Sequence, residues 1–150
     1  MLEQVLVVVV LLGNGLVAGV LFAVALSVMP ALIALPADRY VQTHKLLGRY
    51  YDRVMPFIVA SAVIGDVVLA LRGAPPSRTG FAMAAVLLVG VMVVSQTRNV
   101  PINNRVKRLD PAAMPVDWDD PRLAWRNWNL LRTAFAVLAL VANASAVAWA

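Results

Sequence analysis

Cysteine is absent from the chain and histidine occurs once, as His44. The first absence excludes disulfides, thiol redox relays, thiolate-held zinc and iron–sulfur ligation, and a single histidine cannot build a multi-histidine metal site. No metal centre is expected. Charge is also scarce: 14% of residues are ionic, and Asp66 is the one acid set inside a long apolar run. What is abundant is apolar: 61% of the residues are hydrophobic and the mean hydropathy is +0.78, far above the roughly 45–50% of soluble domains. The 150 residues leave room for about four spans of ~20 residues and little else. We find no internal repeat, no low-complexity tract and no soluble domain. A net charge of +5 would suit nucleic acid, but the cations flank the apolar runs. The lipid bilayer is the expected partner and nucleic acid is not.

Hydropathy places the spans at about 5–30, 54–71, 80–97 and 128–149. The first run, "VLVVVVLLGNGLVAGVLFAVALSVMPALIAL", carries no charge. It is twice the length of a signal core and follows an acidic rather than a basic start, so it is not expected to be a signal peptide. Pro30 should kink or end it near the interface. Gly15, Gly19 and Ala23 recur every four residues, a small-residue face that lets helices approach closely, and Asn14 beside them is a candidate for a polar interior. Arg39, Lys45, Arg49 and Arg53 lie between spans one and two, and Arg98, Arg105, Lys107, Arg108, Arg122, Arg126 and Arg132 between or at the edges of spans three and four. Only Arg72 and Arg78 lie on the other side. Eleven cations against two predict a cell-membrane protein with both termini outside and loops 36–53 and 98–127 cytoplasmic. The expected fold is all-α, a single integral-membrane four-helix bundle. Its short helices with small-residue faces also suit a homo-oligomer.

The two cytoplasmic segments carry the chemistry. In "PADRYVQTHKLLGRYYDRV", residues 36–54, Tyr40, His44, Leu47 and Tyr51 share helical spacing and predict an amphipathic helix leading into span two. His44 reads either as an interfacial residue or as a general base, since it alone titrates near neutrality when unperturbed. At the start of span four, Trp125, Trp128, Asn129 and Arg132 fall at i, i+3, i+4, i+7 and so share a face. The tryptophans also fit an aromatic belt, but an arginine so placed must snorkel or find a partner. In "TRNVPINNRVKRLDP", residues 97–111, Pro101 should stop the third helix and push Val100 toward an extended conformation, with Asn99, Asn103 and Asn104 capping the break. With Arg105, those amides form a second polar cluster facing Asn129 and Arg132, suited to an oxyanion or a polar aromatic ligand. Asp66 is a candidate acid or base by its depth alone, or a packing partner of Asn14 or Asn143.

"TRNVPINNRV" followed by "WRNWNLLRT" resembles the anthrone oxygenase-like family of small four-span membrane proteins, as do "ALSVMPAL" and "YYDRVMP". The likeness spans nearly the whole chain by layout, and its specific part is about 35 residues. It implies oxygenation of an anthrone-like or related polyketide-type intermediate, with neither metal nor flavin as cofactor and a lipophilic small molecule as substrate. Carried over residue by residue, Asn99, Pro101, Asn103, Trp128, Asn129 and Arg132 match. Asn129 stands where relatives carry histidine, which leaves His44 and Asp66 as alternative bases. Together these give His44, Asn129, Arg132 and Asp66 as catalytic candidates, and Asn99, Asn103, Asn104, Arg105, Trp125, Trp128 and Tyr51 as substrate-binding candidates. The competing classes are a small transporter, with Asp66 as its proton or cation site, and a non-catalytic assembly protein. Proton-coupled drug resistance would favour the former, and indifference to loss of Asn129 and Arg132 the latter.

Overall fold

The computed structural model describes residues 1–149, and all their side chains except that of Leu2. It contains helices only: α1 (Leu2–Ala23), a π-helical turn (Val24–Val28), α2 (Met29–Ala34), α3 (Ala37–Arg72), α4 (Ser77–Val94), a second π-helical turn (Ser95–Asn99), α5 (Val100–Arg108) and α6 (Arg122–Ala148). Four continuous helical stretches, Glu3–Ala34, Ala37–Arg72, Ser77–Arg108 and Arg122–Ala148, are long and apolar enough to cross a membrane. The protein is thus an all-α, multi-pass membrane bundle. Its four long helices form a ring in chain order, α1 against α3, α3 against α4, α4 against α6, and α6 against α1.

Pro101 does not break its helix as predicted. Val100 is helical (φ −61, ψ −45) and the third helix runs on through Pro101 to Arg108. The first likewise continues through Pro30 to Ala34. In each case a π-turn sits just upstream and widens the helix where a proline ring would otherwise strike the preceding turn and a backbone bond would be lost. At the second π-turn, hydroxyls take up nearby carbonyls: Ser95 donates to Val91 O at 2.6 Å and Thr97 to Val93 O at 2.7 Å. The amphipathic helix and span two are one helix, α3, on which Tyr40 and His44 face inward and Leu47 faces out.

Small residues set the helix spacing, but not those the sequence singled out. Gly15 and Gly19 face open space. Close approaches are at Gly65, where a Cβ would overlap the Val10 side chain, and at Gly80, where it would lie 2.7 Å from the Ala146 methyl and 3.0 Å from Ala142 O, so α4 meets α6 almost backbone to backbone. Apolar packing forms three layers. One, around Val10, Leu69, Phe81 and Ala146, lies near the termini, and a second, around Val17, Leu88 and Ala136, lies in the middle. The third, around Met29, Leu32, Tyr40, Val41 and Val106, closes the cation-rich end.

The loop from 109 to 121 is held rather than loose. Lys45 donates to Leu109 O at 2.7 Å, and Trp118 packs against Tyr40. The Arg122 guanidinium donates to Leu32 O, Ile33 O and Leu35 O at 3.1, 3.1 and 2.6 Å, capping the carbonyl end of α2.

Candidate functional site

Between the middle layer and the cation-rich end the interior turns polar, and Trp125 is its hub. Asn99 Nδ2 donates to the Trp125 carbonyl at 3.2 Å, and the Trp125 indole N–H donates to Asn103 Oδ1 at 2.7 Å. Two amides one helical turn apart on one helix thereby fix both the backbone and the ring of one tryptophan on another. His44 meets the same ring edge-on at 6.4 Å between centroids and Tyr40 at 5.4 Å, and the Arg132 guanidinium lies 5.5 Å from the Trp125 ring centre.

Arg132 is buried, and its hydrogen-bond partners are neutral: Nη1 donates to Ser95 Oγ at 3.1 Å and Nη2 to Asn129 Oδ1 at 2.8 Å. Among the described residues no carboxylate lies within ion-pair distance of it, and its Nε–H has no acceptor. Interhelical hydrogen bonds of this kind average ~0.6 kcal/mol each, against roughly 2.5–3.5 kcal/mol for an arginine at the centre of a span. Asp52 acts on Arg132 from beyond ion-pair distance and is itself paired with Lys107, so the positive charge of the cluster has no counter-charge in contact with it. The buried Tyr51 hydroxyl and Asn99 Oδ1 are also unpaired, and Tyr51 is close enough to Arg132 for the two to interact electrostatically. A cation, a free N–H, a phenol and a free amide oxygen suit a planar ligand that carries or develops negative charge.

Asn129 and Thr133 turn the other way, toward the first π-turn. Asn129 Nδ2 donates to Leu21 O at 3.5 Å and Thr133 Oγ1 to the same carbonyl at 3.2 Å. One face of α6 therefore holds both π-turns. Ser95 and Thr133 escaped sequence reasoning because a lone hydroxyl in an apolar helix carries no signal until its neighbour is known. Arg122 stood out only as a topological charge, although "DDPR" placed it beside a helix start.

His44, Tyr51, Asn99, Asn103, Trp125, Asn129 and Arg132 are thus brought together. Trp128 is not in the interior group; it is half-buried beneath Arg98, 4.8 Å from its ring centre. Asn104 and Arg105 are exposed on the outer face of α5. Asp66 is fully buried but remote. It accepts from Asn143 Nδ2 at 3.4 Å, and 22 residues of α3 separate it from His44, about 33 Å at 1.5 Å per residue. Asn14 is fully buried too.

A family model described as anthrone oxygenase matches residues 45–142, almost two thirds of the chain and nearly all of this cluster. The chain belongs to the anthrone oxygenase family. No curated protein matches it, and no solved structure does. Outside the membrane-spanning helices, Asp120 shows how this end of the bundle treats charge. Partial burial pushes its carboxyl up, but the hydrogen bonds from Arg122, the shortest at 2.5 Å, outweigh that and hold it below the usual carboxylate range.

Proposed function

We propose that the protein oxygenates a lipophilic, anthrone-like aromatic substrate taken from the bilayer, and that Arg132 supplies the positive charge facing the substrate anion. The observation that carries this reading is the buried guanidinium with neutral partners and a free Nε–H. A charge buried with no counter-charge in contact is costly, and a developing phenolate would supply one, as preorganised donors do wherever charge appears in a transition state.

The chemistry follows from the substrate. A ring CH2 flanked by aryl groups loses a proton to a base, for which His44 is the imidazole at hand. The carbanion, delocalised onto the phenolic oxygen, gives one electron to dioxygen. Superoxide and the substrate radical combine at that carbon, and the protonated peroxide loses water to leave a ketone. One oxygen atom enters the product and the other leaves in water. Trp125 offers the aromatic wall, held by Asn99 and Asn103, while Tyr51 and Asn99 Oδ1 provide further polar contacts.

Access from lipid is supported by a groove of about 410 Å³ between the first π-turn and α6, lined by Phe22, Ala25, Leu26, Thr133 and Ala134 among others. Thr133, which lines the groove, donates to Asn129 O at 2.8 Å, so the groove borders the turn of α6 that carries Asn129. By the asymmetry of its cations, the end bearing the site faces the cytoplasm.

The test is oxygen uptake and product mass in membranes containing the protein, supplied with a panel of anthrones and reduced phenolics beside an Asn129→Ala, Arg132→Ala control. Uptake with a net gain of one oxygen and loss of two hydrogens, absent from the control, is the expected result. Failure of folded protein to turn over any panel member would move the reading to a different reaction of a lipophilic intermediate or to a non-catalytic role.

A further inference from the structure

Asn104 and Arg105 lie outside the Trp125 cluster and, with Pro101, Arg108 and Leu109, line a surface depression of about 530 Å³ on α5. Its arginines are poorly satisfied by protein. Arg105 has only Asp119, at 3.8 Å, with the two side chains 67% and 89% exposed, and among the described residues Arg108 has no ion pair. An exposed pair at that distance contributes almost nothing. Both guanidiniums are free to take an anion.

The position of the depression says which anion. Ser77–Arg108 is one continuous helical stretch of 32 residues, about 48 Å at 1.5 Å per residue, some 18 Å more than a ~30 Å hydrocarbon core. Ser77 and Arg78 begin the stretch at the opposite edge, so the excess length is at the α5 end. The exposed stripe of α4, Val86, Val89 and Val93, continues through Thr97 to Pro101, Arg105 and Arg108, because the π-turn keeps these positions on one side. Helical side chains lean toward the helix N-terminus, which on α5 means back toward the bilayer. A ~30 Å core starting at Ser77 ends near Thr97, so the α-carbons of Arg105 and Arg108 stand about 12 and 16 Å beyond it and their heads lean back toward the headgroups, above a strip of apolar side chains.

We propose that the depression holds the phosphate of an anionic phospholipid, bound by Arg105 and Arg108 with Asn104, while its acyl chains lie along Val86, Val89 and Val93. Guanidinium forks match phosphate geometry, and basic pockets at this level of a bundle select anionic headgroups. Pro101 and Leu109 give the depression an apolar part that inorganic phosphate would not use. This site is independent of the reaction at Trp125.

The test is native mass spectrometry of the protein released from bilayers of equal phosphatidylglycerol and phosphatidylcholine. Wild type is expected to retain phosphatidylglycerol over phosphatidylcholine by roughly tenfold, Arg105→Gln/Arg108→Gln to fall to near parity, and Arg105→Lys/Arg108→Lys to lie between. Arg72→Gln, at the other end of the bundle, should leave the preference intact. The proposal is overturned if the double glutamine variant keeps the wild-type preference, or if Arg72→Gln lowers it equally. It is also overturned if millimolar inorganic phosphate or glycerophosphate displaces the lipid, which would make this a site for soluble phosphate.

Discussion

The first π-turn, Val24–Val28, is followed by Met29 and Pro30, and the second, Ser95–Asn99, by Val100 and Pro101. In both, the proline is the second residue of the helix that resumes. Both of those helices then stop at a leucine in extended conformation, Leu35 and Leu109. The side chains differ completely. The first turn buries nothing of its own and delivers Met29 and Leu32 to the apolar layer. The second buries Asn99 and places Asn103 on Trp125. One backbone device thus serves packing in one half of the molecule and a polar site in the other, and α6 decides between them by presenting Thr133 to the first and Arg132 to the second.

The contrast breaks most readily at Arg132. Arg132→Leu should lower turnover of an accepted anthrone by about 10²-fold or more, since a preorganised donor to a developing anion is lost. Thermal stability should hold or rise, because an apolar side chain replaces a buried charge that had no ion pair in contact with it. A variant that melts early while keeping its rate per folded molecule would assign Arg132 to structure instead. Met29→Ala, at the matching place in the apolar half, should do the reverse. We expect a loss of about 2–5 kcal/mol in stability, with turnover per folded protein unchanged, read by denaturation beside oxygen uptake.

Smaller effects sharpen the comparison. Asn99→Ala and Asn103→Ala each release one hold on Trp125, and each should cost about tenfold in turnover and ~1 kcal/mol in stability, visible as a shift in Trp fluorescence. Asp66→Asn should leave turnover within about twofold, because the residue bonds Asn143 far from His44. A hundredfold loss there would falsify the confinement of the reaction to the second π-turn. The smallest effect concerns Asp120. Its native pKa is lowered, so its contribution is whole above the ordinary aspartate value of about 3.9 and fades as pH falls from there through the native value. With the Asp120 side chain 40% exposed, solvent screening keeps the pair at ~1 kcal/mol or less. Acid denaturation of Asp120→Asn should show that small dependence missing.

Much of this was readable in advance because it depends on local pattern. Charge-free runs announce spans, and Trp125, Asn129 and Arg132 at helical spacing announce a shared face, whereas Asn99 and Asn103 were legible only as members of a polar cluster. The errors came where local rules met a tertiary remedy. Pro101 was expected to end a helix, but a π-turn with the Ser95 and Thr97 hydroxyls carries the helix past it. Gly15 and Gly19 were expected to pack, yet periodicity cannot say which side of an all-apolar helix faces lipid. For Asp66 the sequence left two roles open, an alternative base or a packing partner of Asn14 or Asn143, and the structure shows the contact with Asn143.

By itself the sequence determined the membrane class, the number of long helices, the charge asymmetry between the two ends and the short list of polar residues from which a site can be built, since each follows from composition and spacing along one chain. Only the tertiary structure decided that Trp125 is the hub, that Arg132 has neutral partners and a free N–H, that Trp128, Asn104 and Arg105 stay outside, and that Asp66 pairs with Asn143. Those are distances between helices, set by where small residues let backbones meet and by which carbonyls the π-turns leave for α6 to bind.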